Sequence, residues 1–215
     1  MLGEAYEADG FSTGAVAFAE TLGLASRHVE DRLLLPLPVP AEQVERLRVS
    51  LPDLNGYELV AWGVRCPDEH VEAYCRMRTQ MEADAPTDEL DLESVVFDED
   101  RLRTSEERLA RSYVQLNVAA RRLEDGVFGG FSMVLLPDGE QTSLQFDTLV
   151  MPEHRGHGLG LLMKLANLER VQRDHADRTA FHTGTAGSND TMQRTNQRFG
   201  CLVVERMHDM QRKNL

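Results

Sequence analysis

The segment from Asp147 to Lys164, DTLVMPEHRGHGLGLLMK, constrains this chain more than any other stretch of it. Ahead of it and into it, Leu144, Phe146, Thr148 and Val150 alternate with Gln145, Asp147 and Leu149, the period of a half-buried strand over residues 141–150. Glycines then stand at 156, 158 and 160, and Leu161, Leu165, Leu168 and Val171 follow at the spacing of a buried helix face, predicting a helix over 158–173. Glycine lets a backbone turn sharply and approach a ligand closely. The first amides of the helix have no internal acceptor and sit at the positive end of its dipole. A strand, a glycine loop and a helix in this order therefore suit a phosphate or pyrophosphate. Two common phosphate loops are excluded by spelling. There is no Gly-Lys-Ser/Thr for a nucleoside-triphosphate loop, and Leu161 or Met163 stands where a dinucleotide fingerprint needs its third glycine.

The rest of the chain supplies the sheet that such a loop requires. Residues 56–67 read as a strand ended by Pro67, and Asp68 opens a helix to about 82 with Val71, Tyr74, Cys75 and Met81 on one side. Residues 83–98 are acidic, carry Pro86 and read as loop. A charged helix follows from Asp98 to about 114, with Leu102 and Leu109 on its buried stripe. Strands over 116–123, 127–136 and 141–150 are linked by Glu124-Asp125-Gly126 and Pro137-Asp138-Gly139, which makes an antiparallel meander. After the glycine loop and its helix come a strand over 179–183, a helix from 188 or 189 stopped by Gly200, and a strand over 201–210. From Gly56 the order is β-α-α-β-β-β-α-β-α-β. That is a mixed α/β sheet whose antiparallel front half precedes a right-handed parallel β-α-β crossover.

The first 40 residues stand apart. An alanine-rich helix over 12–22 stopped by Gly23, then a strand over 28–35 closed by the prolines of LLLPLPVP, repeats the helix-glycine-strand pattern around Gly200. We expect residues 1–40 to be a helix-strand appendage, the tail of an earlier copy of the same domain, ahead of a domain over 41–215. Too short to fold alone, it must hide Phe11, Val16, Phe18, Leu22 and Leu33–Leu35 against the main domain or in a dimer interface.

A net charge of −13 repels phosphate backbones, so no nucleic-acid partner is expected, while a cationic amine would be attracted. No run approaches a membrane span and MLGEAYEADG lacks the pattern of a signal peptide, so a cytoplasmic location is expected. Cys66, Cys75 and Cys201 lack metal spacing and read as reduced structural thiols. His154 and His157 have no ligand partners at metal spacing, so no metal is expected.

Arg155-Gly156-His157-Gly158-Leu159-Gly160 matches R/Q-x-x-G-x-G/A, and through it residues 56–215 resemble the GNAT superfamily of N-acetyltransferases. The element order, the V-x-P-x-x-R-G lead from Val150 to Gly156, and the stretch from Asn189 to Phe199-Gly200 strengthen the likeness. The resemblance implies the GNAT-like acyl-CoA N-acyltransferase fold, with the strand before the loop splayed from the next parallel strand. It implies that backbone groups of Leu149 and Val150 hold the pantetheine arm of acetyl-CoA and that amides of Arg155 to Gly160 hold the pyrophosphate. The N–H of Leu149 would polarise the acetyl carbonyl, and Asn189 would contact the coenzyme. It implies direct attack by an amine, with homodimers common in the family. The family's tyrosine, seven residues past the asparagine, is here Asn196, which can donate a hydrogen bond to sulfur but cannot give up a proton. Asp147 is the candidate general base, with Glu153 behind it. The departure at Asn196 keeps a second reading open, a coenzyme A-binding regulatory or structural module without catalysis.

Overall fold

The structure, a computed structural model, describes residues 2–8, 14–52, 56–84 and 95–212. Eight strands and six α-helices alternate along these residues: β1 (Leu2–Ala8), α1 (Ala15–Thr21), β2 (Leu24–Pro36), α2 (Ala41–Val49), β3 (Tyr57–Trp62), α3 (Val71–Asp84), α4 (Glu99–Leu109), β4 (Tyr113–Arg122), β5 (Phe128–Pro137), β6 (Thr142–Val150), α5 (Leu159–Asp174), β7 (Ala180–Ala186), α6 (Asp190–Phe199) and β8 (Leu202–Arg212). The order expected from residue 56 onward is observed. Neither β1 nor α2 is anticipated by the sequence reading, and Asp68 lies in a 3-10 turn (Asp68–His70) ahead of α3 rather than capping it.

Packing divides the described residues into two units. One holds the described residues of 36–84 and 95–181. The other joins those of 2–35 to those of 182–212.

The larger unit is built on the meander β6-β5-β4-β3, antiparallel throughout. Alternation along β4 assigns its two faces. Ala119 joins Trp62, Tyr74, Cys75, Met77, Leu102, Phe131, Met133 and Leu149 in one core cluster, which carries α3 and α4. Val118 and Ala120 join Leu159, Leu162 and Met163 of α5 on the other. The stripe read from the sequence is the buried face of α5, with Leu161, Leu165, Leu168 and Val171 each at most 5 % exposed. Asp98 caps α4, its carboxylate accepting from the Arg101 amide at 2.8 Å. The Thr179 amide donates to the Gln141 carbonyl at 2.8 Å, so the chain leaving α5 returns beside the start of β6.

The smaller unit has the strand order β1-β8-β2-β7, and it repeats itself. Both helices end at a left-handed glycine, Gly23 (φ 77°) and Gly200 (φ 81°). Glu30 and Met207, each the seventh residue past its glycine, face one another in the antiparallel β2–β8 pair. The two register shifts of that pair skip Arg27 in β2 and Val204 in β8, and each is the fourth residue past its glycine. Exchanging β1 with β7 and β2 with β8 reverses the strand order into itself. β1-α1-β2 and β7-α6-β8 are thus related by a pseudo-two-fold through the Glu30–Met207 pair, and each terminal strand is inserted next to the other. Of the apolar residues expected to be hidden, Leu33 and Leu35 are buried and Val16 packs beside Ala5, Ala19 and Met210. Phe18 and Leu22 are instead exposed, at 66 % and 51 %, and Phe11 lies outside the described residues.

Candidate active site

The strand, loop and helix of the signature are local neighbours in the larger unit. β6 is not regular where it approaches the loop. Ser132 and Val134 of β5 pair with Thr148 and Gln145, so two steps on one strand match three on the other, and the extra residue falls at Phe146–Asp147. A bulge re-aims the side chains next to it. Phe146 turns out to water, 55 % exposed, while Asp147 turns inward to within 3.7 Å of the Arg78 guanidinium on α3. Burial raises the Asp147 carboxyl above the usual carboxylate range. Arg78 opposes that rise and Glu82 adds to it. The bulge is stitched by Gln145, which donates to Ser132 Oγ and to the Met133 carbonyl, and by Ser132 Oγ against Thr148 Oγ1.

Leu149 and Val150 follow, in register with Phe131 and Gly130. The side chain of Leu149 is 4 % exposed and belongs to the core. A 3-10 turn (Pro152–His154) leads to the glycines. Gly156 (φ 85°) and Gly158 (φ 72°) are left-handed, and Gly158 occupies the N-cap of α5 without any side-chain cap. No side chain therefore caps the opening turn of α5. A Cβ on Gly156 would meet open space, whereas one on Gly158 would strike the Pro52 ring at 2.8 Å. Gly160, inside the helix, faces Val150 and Thr148 of β6 at ordinary contact distance. Leu159 is buried and anchors the turn.

Arg155 folds back over this surface. Its Nε donates to the Val150 carbonyl at 3.3 Å and its Nη2 to Asp84 Oδ2 at 2.5 Å. His157 Nδ1 lies 3.2 and 3.1 Å from the carbonyls of His154 and Arg155. His154 is a buried strut: Nδ1 meets the Tyr57 hydroxyl at 2.7 Å, and a Cβ on Gly129 would strike its ring. Burial, with Arg122 adding to it, holds its imidazole below the usual range. Glu153 is exposed beside Arg76.

Asn189 and Asn196 belong to the smaller unit. Asn189 is the N-cap of α6, its side chain accepting from the Met192 amide at 3.1 Å. Asn196 is fully buried, and its Nδ2 donates to Thr185 Oγ1 at 2.8 Å, tying α6 to β7. The cysteines are free thiols, and burial pushes Cys66 up to about 12. Among the described residues no group of His, Cys, Asp or Glu could hold a metal, and no described helix is long and apolar enough to cross a membrane. Sequence reasoning passed over Arg78, Pro52 and Tyr57, which stand 69, 106 and 97 residues from Asp147, Gly158 and His154, their contacts here. Only the fold brings them together.

No model of a known protein family and no curated protein matches the sequence. Solved structures do. A tandem GNAT protein from the clavulanic acid biosynthesis pathway is 26 % identical with a TM-score of 0.78, over 97 % of this chain and 62 % of its own. GCN5-related N-acetyltransferases from Sphaerobacter thermophilus (14 % identity, TM-score 0.65, 98 % of this chain and 59 % of the other) and Kribbella flavida (15 %, 0.59, 99 % and 68 %) share the fold. The chain thus spans about three fifths of the length of the first two. With the strand, bulge, glycine loop and helix in this arrangement, the chain belongs to the GNAT superfamily.

Proposed function

We propose that the chain is an acetyl-CoA-dependent N-acetyltransferase that acts on an amine by direct attack. The observation that carries this reading is the turn at the start of α5. Left-handed glycines at 156 and 158 present its first amides without a capping side chain, next to the end of a bulged β6. Such amides, at the positive end of a 16-residue helix, suit a pyrophosphate. The backbone of Leu149 and Val150 would hold the pantetheine arm and the acetyl group. Arg155 would release the Val150 carbonyl as the coenzyme enters. The amine nitrogen bonds to the thioester carbonyl carbon, its proton passes to the Asp147 carboxylate, and the carbon–sulfur bond breaks with the electron pair on the thiolate. A carboxyl raised by burial is a stronger proton acceptor than an exposed one. An acidic chain favours a cationic acceptor in the encounter.

The test is calorimetric titration of acetyl-CoA and coenzyme A into wild type and Gly160→Phe. Gly158→Trp is the poorer probe, because residue 158 is left-handed and packed on Pro52. Residue 160 is helical, and its Cβ would stand against Val150 and Thr148. Binding by wild type that is lost in Gly160→Phe supports the site. A folded wild type that binds neither ligand overturns it.

The second reading, a coenzyme A-binding module without catalysis, is favoured by Asn196, whose amide is engaged with Thr185 in the core. Release of free thiol from acetyl-CoA in the presence of polyamines, aminoglycosides or amino acids separates the two. Residues 1–40 are the remnant of a preceding GNAT copy in this proposal, in keeping with the pseudo-two-fold of the smaller unit and with a similarity that reaches past half of a tandem protein.

A further inference from the structure

Asp147 is one half of a buried pair, and its partner is held in an unusual way. Arg78 is only 8 % exposed, with Nη2 3.7 Å from Asp147 Oδ2. That is an ion-pair distance rather than a hydrogen bond. Its Nε has no hydrogen-bond partner among the described residues. Two rings hold the guanidinium. Its carbon lies 4.5 Å from the centroid of Phe97 and 6.0 Å from that of Tyr74. Phe97 is pinned in turn, because its amide donates to Thr79 Oγ1 at 2.9 Å. Tyr74 is fully buried and donates to Asn117 Oδ1 at 3.2 Å. The two rings, with the Tyr74 hydroxyl also hydrogen-bonded to it, therefore fix the guanidinium, and its ion pair is with Asp147.

We propose that Arg78 is a positioning residue for Asp147, keeping that carboxylate ionised and aimed so that it can accept the proton of the attacking amine. The inference rests on the reading of Asp147 as the base. A buried carboxylate drifts toward its neutral form, which accepts no proton, and a cation within about 4–6 Å opposes that drift. The titratable groups of α3 that face Asp147 are Arg78, Glu82 and Tyr74. Arg78 alone among them favours the charged form; Glu82 works against it. Lysine would keep the charge but not the planar face that lies on Phe97.

The experiment is the pH profile of kcat/KM with one amine acceptor, for wild type, Arg78→Met, Arg78→Lys, Phe97→Leu and Asp147→Asn, with circular dichroism to check folding. The acceptor's own ionisation is common to all five. Arg78→Met should move the acid limb assigned to Asp147 up by about 1–3 pH units, and Arg78→Lys should return most of that shift. Phe97→Leu, which keeps the charge and loosens its seat, should move the limb in the same direction by less. If Arg78→Met does not fold, the Lys and Leu variants decide the matter by the same limb. A uniform fall in rate with the limb unmoved overturns the inference and makes Arg78 merely structural. Asp147→Asn separates the two levels. It should remove the limb and lower the rate by about 10²–10⁴-fold. An unchanged rate there defeats the reading of Asp147 itself. A lost limb in Asp147→Asn together with an unmoved limb in the Arg78 and Phe97 variants defeats only the role of Arg78.

Discussion

β1-α1-β2 and β7-α6-β8 share a backbone plan and differ in what they cover. Counted from Gly23 and Gly200, they agree in the left-handed stop of the helix, in the place of the β-bulge and in the residue at the centre of the β2–β8 pair. They part company along the helices. Phe199, just before its glycine, is 3 % exposed, while Leu22 in the same place is 51 % exposed. Asn196, four residues before Gly200, is buried and bonded to Thr185; its counterpart Ala19 is buried and carries no polar group. Asn189 caps α6 with its side chain, whereas Gly14 begins α1 with no side-chain cap. The shared features are those that strand exchange needs, a tight stop and a matched register. The differing ones are those that bury a helix face or secure a helix start. The first segment thus has what lets it pair in the sheet and lacks what would let its helix stand as α6 does.

The largest test of this contrast is a pair of truncations. Phe199→Ala should cost about 3–5 kcal/mol, as for a large buried ring. Leu22→Ala should stay within about 0.5 kcal/mol, as for an exposed site. Urea unfolding of both variants checks this, and equal losses would mean that α1 is covered as α6 is. Next comes a pair expected to match. Gly23→Ala and Gly200→Ala each place a Cβ on left-handed backbone, so each should lose about 1–2 kcal/mol. The Cβ at residue 23 would meet open space, so conformation rather than collision sets its cost. A loss at Gly200 alone would show that β2 tolerates a looser entry and that the pseudo-symmetry is not energetically balanced.

Much of this was legible in the residues. The stripe of α5, the meander and the glycine loop follow from period and turn chemistry, because each is a short-range pattern that one segment carries by itself. The likeness between the segments around Gly23 and Gly200 was also visible, although its register was not, since pairing between residues 30 and 207 leaves no local mark. β1 went unseen because LGEAYEA is short, carries a glycine and two glutamates among its seven residues, and has no run of β-branched residues. α2 went unseen because it follows Pro40 and its buried face is only Val44 and Leu47. In the site, Asp147 could be named from its strand, but the bulge that turns it inward depends on β5. Arg78 reads as one more arginine on a helix until Phe97 and Asp147 are folded against it.

The smallest effect concerns the helix start, and it bears on both the comparison and the site. Asn189→Ala removes a cap and should cost about 0.5–2 kcal/mol, while Asn189→Ser, which can accept from the same amide, should retain most of it. No matching loss is available in α1, where Gly14 supplies no side chain to remove. Read by unfolding alone, the pair measures how much more secure the start of α6 is than that of α1. Read by coenzyme A titration on the same two proteins, it measures something else. If Asn189 is only a cap, Asn189→Ser binds coenzyme A as wild type does. If the amide also reaches the coenzyme, the serine, too short and without the amide N–H groups, keeps the stability and loses affinity. That divergence would assign Asn189 two roles, so that the two segments would differ in ligand binding as well as in the start of their helices.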